Sequence, residues 1–360
     1  MSCLGLQAAS ASRVVKSLQN ISIGSKIDWA ALELFLQDKM PLSYKNWSDT
    51  FVWSEELERI IGDPDREDFR LTFDRVLTGG NWWGAAEYAS TTKTDSSRSP
   101  WIVLVSGLNG IRKTTALTQP WFEDVLREAL GDQLTEGSDF PIGGNSFFRQ
   151  LDYLVATIAN EDFKELYASD VSIGEYSSQK DKIFKRHRTV AEILGVLLLR
   201  SSVKRRMNAL VETSGRDVAS FDFIDALFSD EAASTYRKLV VHFTIDDISH
   251  AERSVDTRMA SEKRTGSEIV QSAETQRDPI AAARAVVGVN AGGPYGSEVL
   301  ASVKADSDKV MAEALRKEGG RRGWLKASIL IKGSEDPTAW TARAVKQDGT
   351  QSPNCFVFRR

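Results

Sequence analysis

The run Trp101-Ile102-Val103-Leu104-Val105 is followed at once by a glycine-containing loop and then by a helical pattern. An apolar run without alternation is typical of a strand buried on both faces of a parallel sheet. Shorter apolar runs recur along the chain and long helical patterns separate them, which predicts an α/β domain with a doubly wound, mostly parallel sheet. Further strands are expected at 209–211, 239–243 and 329–331, and helices at about 114–130, 146–168, 181–207, 267–287 and 297–318.

Size and charge exclude several classes of protein. A chain of 360 residues suits one large domain or two. The net charge is −4, from 46 Lys and Arg against 50 Asp and Glu, which argues against broad binding to a nucleic-acid backbone. No apolar run approaches the roughly 18 residues that a membrane-spanning helix needs. Cys3 and Cys355 stand at opposite ends of the chain, so the sequence favours a reducing compartment and a cytoplasmic location.

Composition also predicts the division of the chain. Residues 1–27 have no acidic residue, so they are interpreted as a flexible tail or, alternatively, as an organellar transit peptide. Residues 28–89 form an α-rich N-terminal region, and 90–100, which lack a large apolar residue, form a linker. Residues 101–360 form the α/β domain, which ends in a β-hairpin around Asp348-Gly349.

The loop after the first strand carries the clearest chemical signal. It matches the pattern G-x-x-x-x-G-K-[ST] at Gly107, Lys113 and Thr114, while Arg112 stands where the second glycine belongs and Gly110 lies inside the loop. Backbone amides of such a loop bind phosphate, the lysine reaches the phosphates, and the hydroxyl ligates Mg²⁺. The Arg112 side chain either crowds the phosphates or points outward and adds positive charge. The alternative is an ordinary strand-to-helix turn. The candidate nucleotide-binding residues are Gly107, Asn109, Gly110, Ile111, Arg112, Lys113, Thr114 and Thr115.

This loop resembles that of the P-loop small-molecule kinases, particularly the zeta-toxin and chloramphenicol-phosphotransferase branch. The resemblance extends over roughly residues 101–333 and is specific only at the loop. It implies a sheet of the P-loop NTPase type, ATP and Mg²⁺ as cofactors, and an enzyme that phosphorylates a hydroxyl of a small molecule. The partners expected are therefore a nucleotide and a small-molecule acceptor.

Glu212 is the second candidate metal ligand, beside Thr114. It lies at the end of the strand that begins near Ala209, and ligands of open α/β sheets gather at the carboxyl ends of strands. A carboxylate there holds Mg²⁺ through water. The alternative is that Glu212 caps the helix that follows.

Three further residues, Asp139, Arg253 and Arg258, are candidates for catalysis together with Lys113. The family presents a carboxylate to the acceptor hydroxyl, and Asp139, in a loop before Pro141, is the first choice for that base, with Asp152 second. The family also uses lid arginines to neutralise the transferring phosphoryl group, which implies that role for Arg253 and Arg258. The alternative is an ordinary charged helix.

Two other functions compete with the kinase. The substitution at Arg112 motivates a nucleotide-binding regulatory module with little turnover. A simple NTP hydrolase requires a second acidic motif, which only Asp246 could supply. His242, inside an apolar strand, is expected to be a core residue. The oligomeric state stays open.

Overall fold

The computed structural model describes residues 3–22, 26–92, 99–134, 139–228, 235–272, 277–290, 292–314, 323–336 and 338–359. The chain divides into two compact units, each assembled from three separate stretches. Unit 1 consists of Met1–Gly80, Arg149–Ser201 and Thr257–Gly296, and unit 2 consists of Asn81–Phe148, Ser202–Asp256 and Ser297–Arg360.

The strands of the described residues belong to unit 2, except that Arg149 falls in unit 1. They are β1 (Trp101–Ser106), β2 (Ser146–Arg149), β3 (Asn208–Thr213), β4 (Arg237–Ile245), β5 (Trp324–Lys332), β6 (Thr341–Val345) and β7 (Phe356–Val357). Within the described chain they form one seven-stranded sheet in the order β2-β3-β1-β4-β5-β6-β7. β1 pairs in parallel with β3 and β4, and β4 pairs in parallel with β5, whereas β5-β6 and β6-β7 are antiparallel. The prediction of an α/β fold with a mostly parallel sheet is confirmed.

The burial of the central strand β1 accounts for its continuous run of apolar residues. All of β1 is buried, and its neighbours β3 and β4 supply further buried apolar residues on both sides of the sheet. β2 is a correction, because a helix was expected to begin at Ser146. Its four residues are instead buried in a strand, where the consecutive Phe147 and Phe148 are both covered.

Helices of unit 2 are α6 (Trp82–Thr91), α7 (Lys113–Leu117), α8 (Phe122–Leu130) and α12 (Ala219–Leu227), together with the first part of α13 (Ile248–Gln271) and α15 (Leu300–Ala314). The single helix expected over 114–130 is interrupted between α7 and α8, since Pro120 lacks the N–H that a helix interior requires. The Phe122 ring stacks on Phe243 with centroids 6.5 Å apart, so α8 lies on the sheet face to which Phe243 points.

Apart from Arg149, the regular secondary structure of the described part of unit 1 is helical. It contains α1 (Cys3–Ile21), α2 (Trp29–Lys39), α3 (Trp47–Ile61), α4 (Glu67–Thr72), α5 (Asp74–Gly79), α9 (Leu151–Ile158), α10 (Asn160–Ala168), most of α11 (Ile173–Lys204), the rest of α13, and α14 (Pro279–Val289). α1 packs against α2, α9, α10 and α14. No helix of the described residues has the length and apolar character that crossing a bilayer requires.

The first helix corrects the expectation of a flexible tail over 1–27. Ala11, Val14, Val15, Leu18 and Ile21 are all buried. Their spacing of three and four residues places them on one side of α1, and an apolar stripe of that width needs a packing partner. The tail interpretation is therefore wrong over the length of α1, and the transit-peptide alternative stays a prediction.

The predicted domain boundaries also differ from the observed units. The α-rich region 28–89 does not stand by itself, because its residues up to Gly80 cluster with two later stretches of chain, whereas α6 belongs to unit 2. Of the expected linker 90–100, residues 93–98 lie outside the described residues, and Ser90 and Thr91 end α6. At the C-terminus, β6 and β7 pair antiparallel on either side of the Asp348-Gly349 turn, in which Gly349 has φ +84°.

A fully buried ion pair joins two helices within unit 1. The Lys180 ammonium donates to both carboxylate oxygens of Glu262, at 2.8 and 2.9 Å, and both side chains are fully inaccessible to solvent. The Tyr176 hydroxyl donates to the same carboxylate at 2.7 Å. Two buried charges are tolerable here because each is hydrogen-bonded by the other and by polar neighbours.

We expect Lys180→Met to destabilise the protein by about 3–5 kcal/mol, because it leaves the Glu262 carboxylate buried without its counter-charge. Urea unfolding monitored by circular dichroism measures the change. Lys185→Met, on the same helix at an exposed position, is the matched control and should stay within about 0.5 kcal/mol of wild type. A loss below about 1 kcal/mol for Lys180→Met would contradict the expectation.

Candidate functional site

The loop between β1 and α7 depends on two glycines. Gly107 has φ +137° and Gly110 has φ +84°, backbone conformations that other residues rarely adopt. A Cβ on Gly107 would lie 2.4 Å from the Phe243 carbonyl oxygen, and one on Gly110 would lie 2.6 Å from the Ala251 carbonyl oxygen. The loop therefore passes against β4 and α13 so closely that only glycine fits at these two positions.

Lys113 is buried at the mouth of this loop. Its ammonium donates to the carbonyl oxygens of Gly107 at 2.8 Å and of Leu108 at 2.7 Å, and it pairs with Glu212 Oε1 at 3.1 Å. The side chain is 3% exposed. A lysine is rarely buried to this extent unless it is paired, and three oxygen acceptors meet the requirement here. The structure thus brings together Lys113, the loop backbone and Glu212, and their roles toward a nucleotide and a metal stay predictions.

Glu212 occupies the carboxyl end of β3, directly beside β1. The parallel register pairs Val105 with Glu212 and Ser106 with Thr213. Its carboxylate is partly exposed, at 26%, and faces the Lys113 ammonium. Because one edge of Glu212 reaches solvent while the other holds a buried cation, it can act both as counter-ion and as a ligand for a solvated metal.

The structure shows which way the Arg112 side chain points, which the sequence leaves open. Its backbone is left-handed, with φ 63° and ψ 31°, which is the conformation that glycine normally provides. The guanidinium carbon lies 4.5 Å from the centre of the Trp340 ring and 5.9 Å from that of Phe358, so the side chain stacks on the C-terminal aromatic residues. Burial lowers the pKa of this guanidinium from its ordinary value. The left-handed backbone costs an L-residue roughly 1–2 kcal/mol, and a cation–π contact returns about 0.5–2 kcal/mol.

The remaining loop candidates differ in exposure. Ile111 is completely buried and so supports the loop rather than binding a ligand through its side chain. Asn109 is half-buried, and the Thr114 and Thr115 side chains are exposed at the start of α7. Among the described residues, no group of three or more His, Cys, Asp or Glu side chains is arranged to hold a metal. A Mg²⁺ ion at this site would therefore depend on Thr114, Glu212, water and the phosphates of a ligand.

A second polar cluster lies at the same sheet edge but on the opposite face. In the register, Ser106 is aligned with His242 and Thr213, and alternation places these three side chains on the face away from Glu212. Ser106 Oγ lies 3.4 Å from His242 Nδ1, and His242 Nε2 lies 3.9 Å from Asp308 Oδ1. His242 is buried, as the sequence predicts.

Gly215 packs directly against the two serines of this second cluster. It has φ +74°, and a Cβ there would lie 2.0 Å from Ser106 Oγ and 2.9 Å from Ser307 Oγ. Ser106 is completely buried, so no substrate reaches its hydroxyl and the series Ser106, His242, Asp308 is not a nucleophilic triad. The sequence indicates two members of this cluster, because His242 lies in an apolar run and Ser106 ends β1. No pattern in the sequence around Ser307 or Asp308 indicates that they belong to it.

Asp139 lies away from Lys113, so its position does not support the role of base, which stays a prediction. Its carbonyl accepts from the Trp101 indole N–H at 2.6 Å, and its carboxylate accepts from the Tyr88 hydroxyl at 3.2 Å. Trp101 begins β1 whereas the loop that leads to Lys113 follows its end, and six residues of strand separate the two ends by about 16 Å. A carboxylate after an irregular loop gives no indication in the sequence of which sheet edge it will reach.

The two predicted lid arginines lie on one continuous helix, α13, but in different units. Ala251 and Val255 face Gly110, and Arg253 is two residues from each, so it projects from the opposite side of the helix. It donates to His250 Nδ1 at 2.9 Å and approaches Glu335 at 3.9 Å. Its position therefore does not support a role in screening a phosphate at Lys113.

Other predicted residues have structural partners. Arg258 belongs to unit 1, where it donates to the Gly293 carbonyl at 3.4 Å, and its catalytic role stays a prediction. Asp152, the second choice for the base, also belongs to unit 1, and its carbonyl accepts from Asn290 at 3.0 Å. The Asp246 carboxylate accepts from the Asp247 and Gly333 amides, so it ties the end of β4 to the end of β5.

No protein-family model matches the chain, and no curated protein is detectably similar to it in sequence. Among solved structures, the chain aligns with one from the molecular and structural characterization of the PezAT chromosomal toxin–antitoxin system of Streptococcus pneumoniae. The two are 12% identical, the alignment covers 77% of this chain and 81% of that chain, and the TM-score is 0.34. A likeness this weak does not show a shared function.

We expect His242 to make stability depend on pH. Burial lowers the pKa of His242 to about 4, with Lys304 and Lys113 acting in the same direction and Asp308 opposing them. The unfolded chain takes up a proton near pH 6.5 and the folded chain does so only near pH 4, so stability falls as the pH drops between these values, by roughly 3 kcal/mol in total.

Urea unfolding of wild type and His242→Gln between pH 7 and pH 4.5 measures this effect. The stability advantage of wild type over His242→Gln should shrink steadily as the pH falls through this range. Ser307→Ala, which retains the histidine in the same cluster, should show the pH dependence of wild type. A constant difference between wild type and His242→Gln would overturn the assignment.

Proposed function

We propose that the loop Gly107–Lys113 binds the phosphates of ATP and that the protein transfers the terminal phosphoryl group to a hydroxyl of a small molecule. The observation that carries the proposal is the buried Lys113 ammonium, held at the carboxyl edge of the central strand by loop carbonyls and by Glu212. In this arrangement the chain is a kinase of the P-loop type.

The chemistry of the donors fits a phosphate group. The Lys113 side chain is almost fully buried, and one of its acceptors, the Glu212 carboxylate, is a group that a phosphate oxygen can replace while the two loop carbonyls stay bonded. The positive φ values at Gly107 and Gly110 set the path of the backbone between them, as in loops whose amides bind anions. These features favour a polyphosphate ligand over a neutral one.

The same residues fit Mg²⁺. The exposed Thr114 hydroxyl and the partly exposed Glu212 carboxylate are the oxygen ligands that would hold the ion, with Glu212 acting directly or through water. When bound, the ion neutralises charge on the phosphate oxygens. Lys113 supplies the fixed positive charge of the protein itself, and the glycine-dependent loop keeps that charge in place before the ligand arrives.

A regulatory module that binds ATP without turnover is the second candidate, and a specific observation favours it. Asp139 lies at the other end of β1 and Arg253 projects away from the loop, so neither the predicted base nor the first predicted lid arginine stands beside Lys113. Binding requires only the loop, the lysine and the metal, whereas transfer also requires an oriented acceptor.

Replacing Lys113 tests the nucleotide site. Lys113→Met should weaken ATP binding by about 10- to 100-fold, because a charge-assisted hydrogen bond to phosphate is lost. Calorimetry in the presence of Mg²⁺ measures the affinity, and circular dichroism establishes that the variant is folded. Lys309→Met, at an exposed position of α15, should bind like wild type. A folded Lys113→Met protein with unchanged affinity would remove the proposal.

Replacing Glu212 separates the kinase from the regulatory module. Glu212→Gln removes a metal ligand of the transfer step, so ATP affinity should stay within a few-fold of wild type while transfer falls about 100-fold or more. The assay follows labelled phosphate from ATP into a pool of metabolites and counts hydrolysis by water separately. Wild-type protein that binds ATP but transfers no more label than Lys113→Met would identify the regulatory module.

A further inference from the structure

The loop between β1 and α7 contains a residue, Arg112, whose backbone conformation is unfavourable for any residue with a side chain. Arg112 adopts the left-handed conformation at the position where the loop pattern has glycine. An L-residue adopts it only when its surroundings compensate for the steric cost. The compensation must come from contacts of the side chain or of the flanking backbone.

The side chain of Arg112 makes such contacts with the end of the chain. Its guanidinium carbon stacks on Trp340, 4.5 Å from the ring centre, and lies 5.9 Å from the centre of the Phe358 ring. Both rings are almost fully buried, at 3% and 4% exposure. They are therefore fixed surfaces rather than mobile side chains, and a planar guanidinium stacks on such a surface with a defined orientation.

The segment that carries these rings is itself fastened to the protein. The Trp340 indole N–H donates to the Ser334 carbonyl at 2.8 Å, and the Phe358 amide donates to the Trp340 carbonyl at 3.0 Å. The Trp121 indole N–H, between α7 and α8, donates to the Val357 carbonyl at 2.8 Å. The C-terminal segment thus contacts the chain just before α7 through Arg112 and just after it through Trp121.

We propose that residues 340–358, the C-terminal clamp, position the nucleotide loop by holding Arg112 in its left-handed conformation. Stacking on Trp340 does for this chain what the conformational freedom of glycine does in the usual loop pattern. Arg112 is a positioning residue, since it acts through the backbone that connects it to Lys113. The expected effect on ATP affinity rests on the proposed function, whereas the effect on the loop does not.

The Ala116 amide reports on the loop without any nucleotide. It donates to the Arg112 carbonyl at 2.9 Å and is fully buried, so its hydrogen exchange slows only while Arg112 keeps its conformation. Alanine and glycine at position 112 both remove the stacking, but only glycine adopts the left-handed conformation freely. Arg112→Ala should therefore speed exchange of the Ala116 amide by roughly ten-fold, and Arg112→Gly should leave it within a few-fold of wild type.

Trp340 supplies the other half of the test. Trp340→Leu should speed exchange at Ala116 as Arg112→Ala does, whereas adding it to Arg112→Gly should have little further effect, since glycine no longer needs the clamp. Trp340→Phe keeps an aromatic face and should restore most of the protection. It also serves as the folded comparison if Trp340→Leu is unstable. Equal exchange in Arg112→Ala and Arg112→Gly, or an equal effect of Trp340→Leu in both backgrounds, would overturn the proposal.

ATP affinity, measured by calorimetry on the same variants, distinguishes the two proposals. We expect Arg112→Ala to weaken binding about ten-fold and Arg112→Gly to leave it nearly unchanged. If wild type binds no ATP but the exchange pattern holds, the clamp stands and the proposed function fails. If Arg112→Gly binds far more weakly than wild type, Arg112 is itself a phosphate ligand and the positioning proposal is overturned.

Discussion

A lysine ammonium is stable inside a protein only where oxygen atoms surround it, and the site in unit 2 follows from meeting that demand for Lys113. The carbonyls of Gly107 and Leu108 turn toward the ammonium, and the backbone of Gly107 has positive φ. The turned backbone then passes so close to the Phe243 carbonyl that no side chain fits on Gly107. The glycine, the path of the loop and the buried ammonium therefore depend on one another. The nearby Glu212 carboxylate balances the charge of Lys113.

The parallel register divides the polar residues at this sheet edge between two faces. Glu212 lies one residue before Thr213, and Val105 one residue before Ser106, so the Lys113–Glu212 pair and the Ser106–His242 pair point to opposite sides of the sheet. The two pairs still interact, because the Lys113 charge helps to lower the pKa of His242. The burial of Ser106 under Gly215 gives the Ser106–His242 pair a structural role.

The sequence predicted the parts of this site that depend on local pattern. The buried strand β1, the loop glycines, Lys113 and Glu212 lie where apolar runs and glycine spacing indicated. The surroundings of Asp139 could not be predicted in this way, because they are set by Trp101 and Tyr88, which only the folded chain brings to it. The sequence did not predict which stretches of chain form unit 1 for the same reason, since α1 buries its apolar stripe against helices from distant stretches of chain.

Arg112 shows why departure from a motif is weak evidence against its function. The second glycine of the loop pattern encodes a backbone conformation, and Arg112 has that conformation at φ 63°. An arginine meets the requirement because Trp340, far away in sequence, offers its guanidinium a buried aromatic face. The substitution by itself thus gives no reason to regard the loop as inactive. In the proposed function, transfer then depends on the groups beside Lys113 and Glu212 that orient an acceptor, because the backbone path and the fixed charge of the loop are already in place.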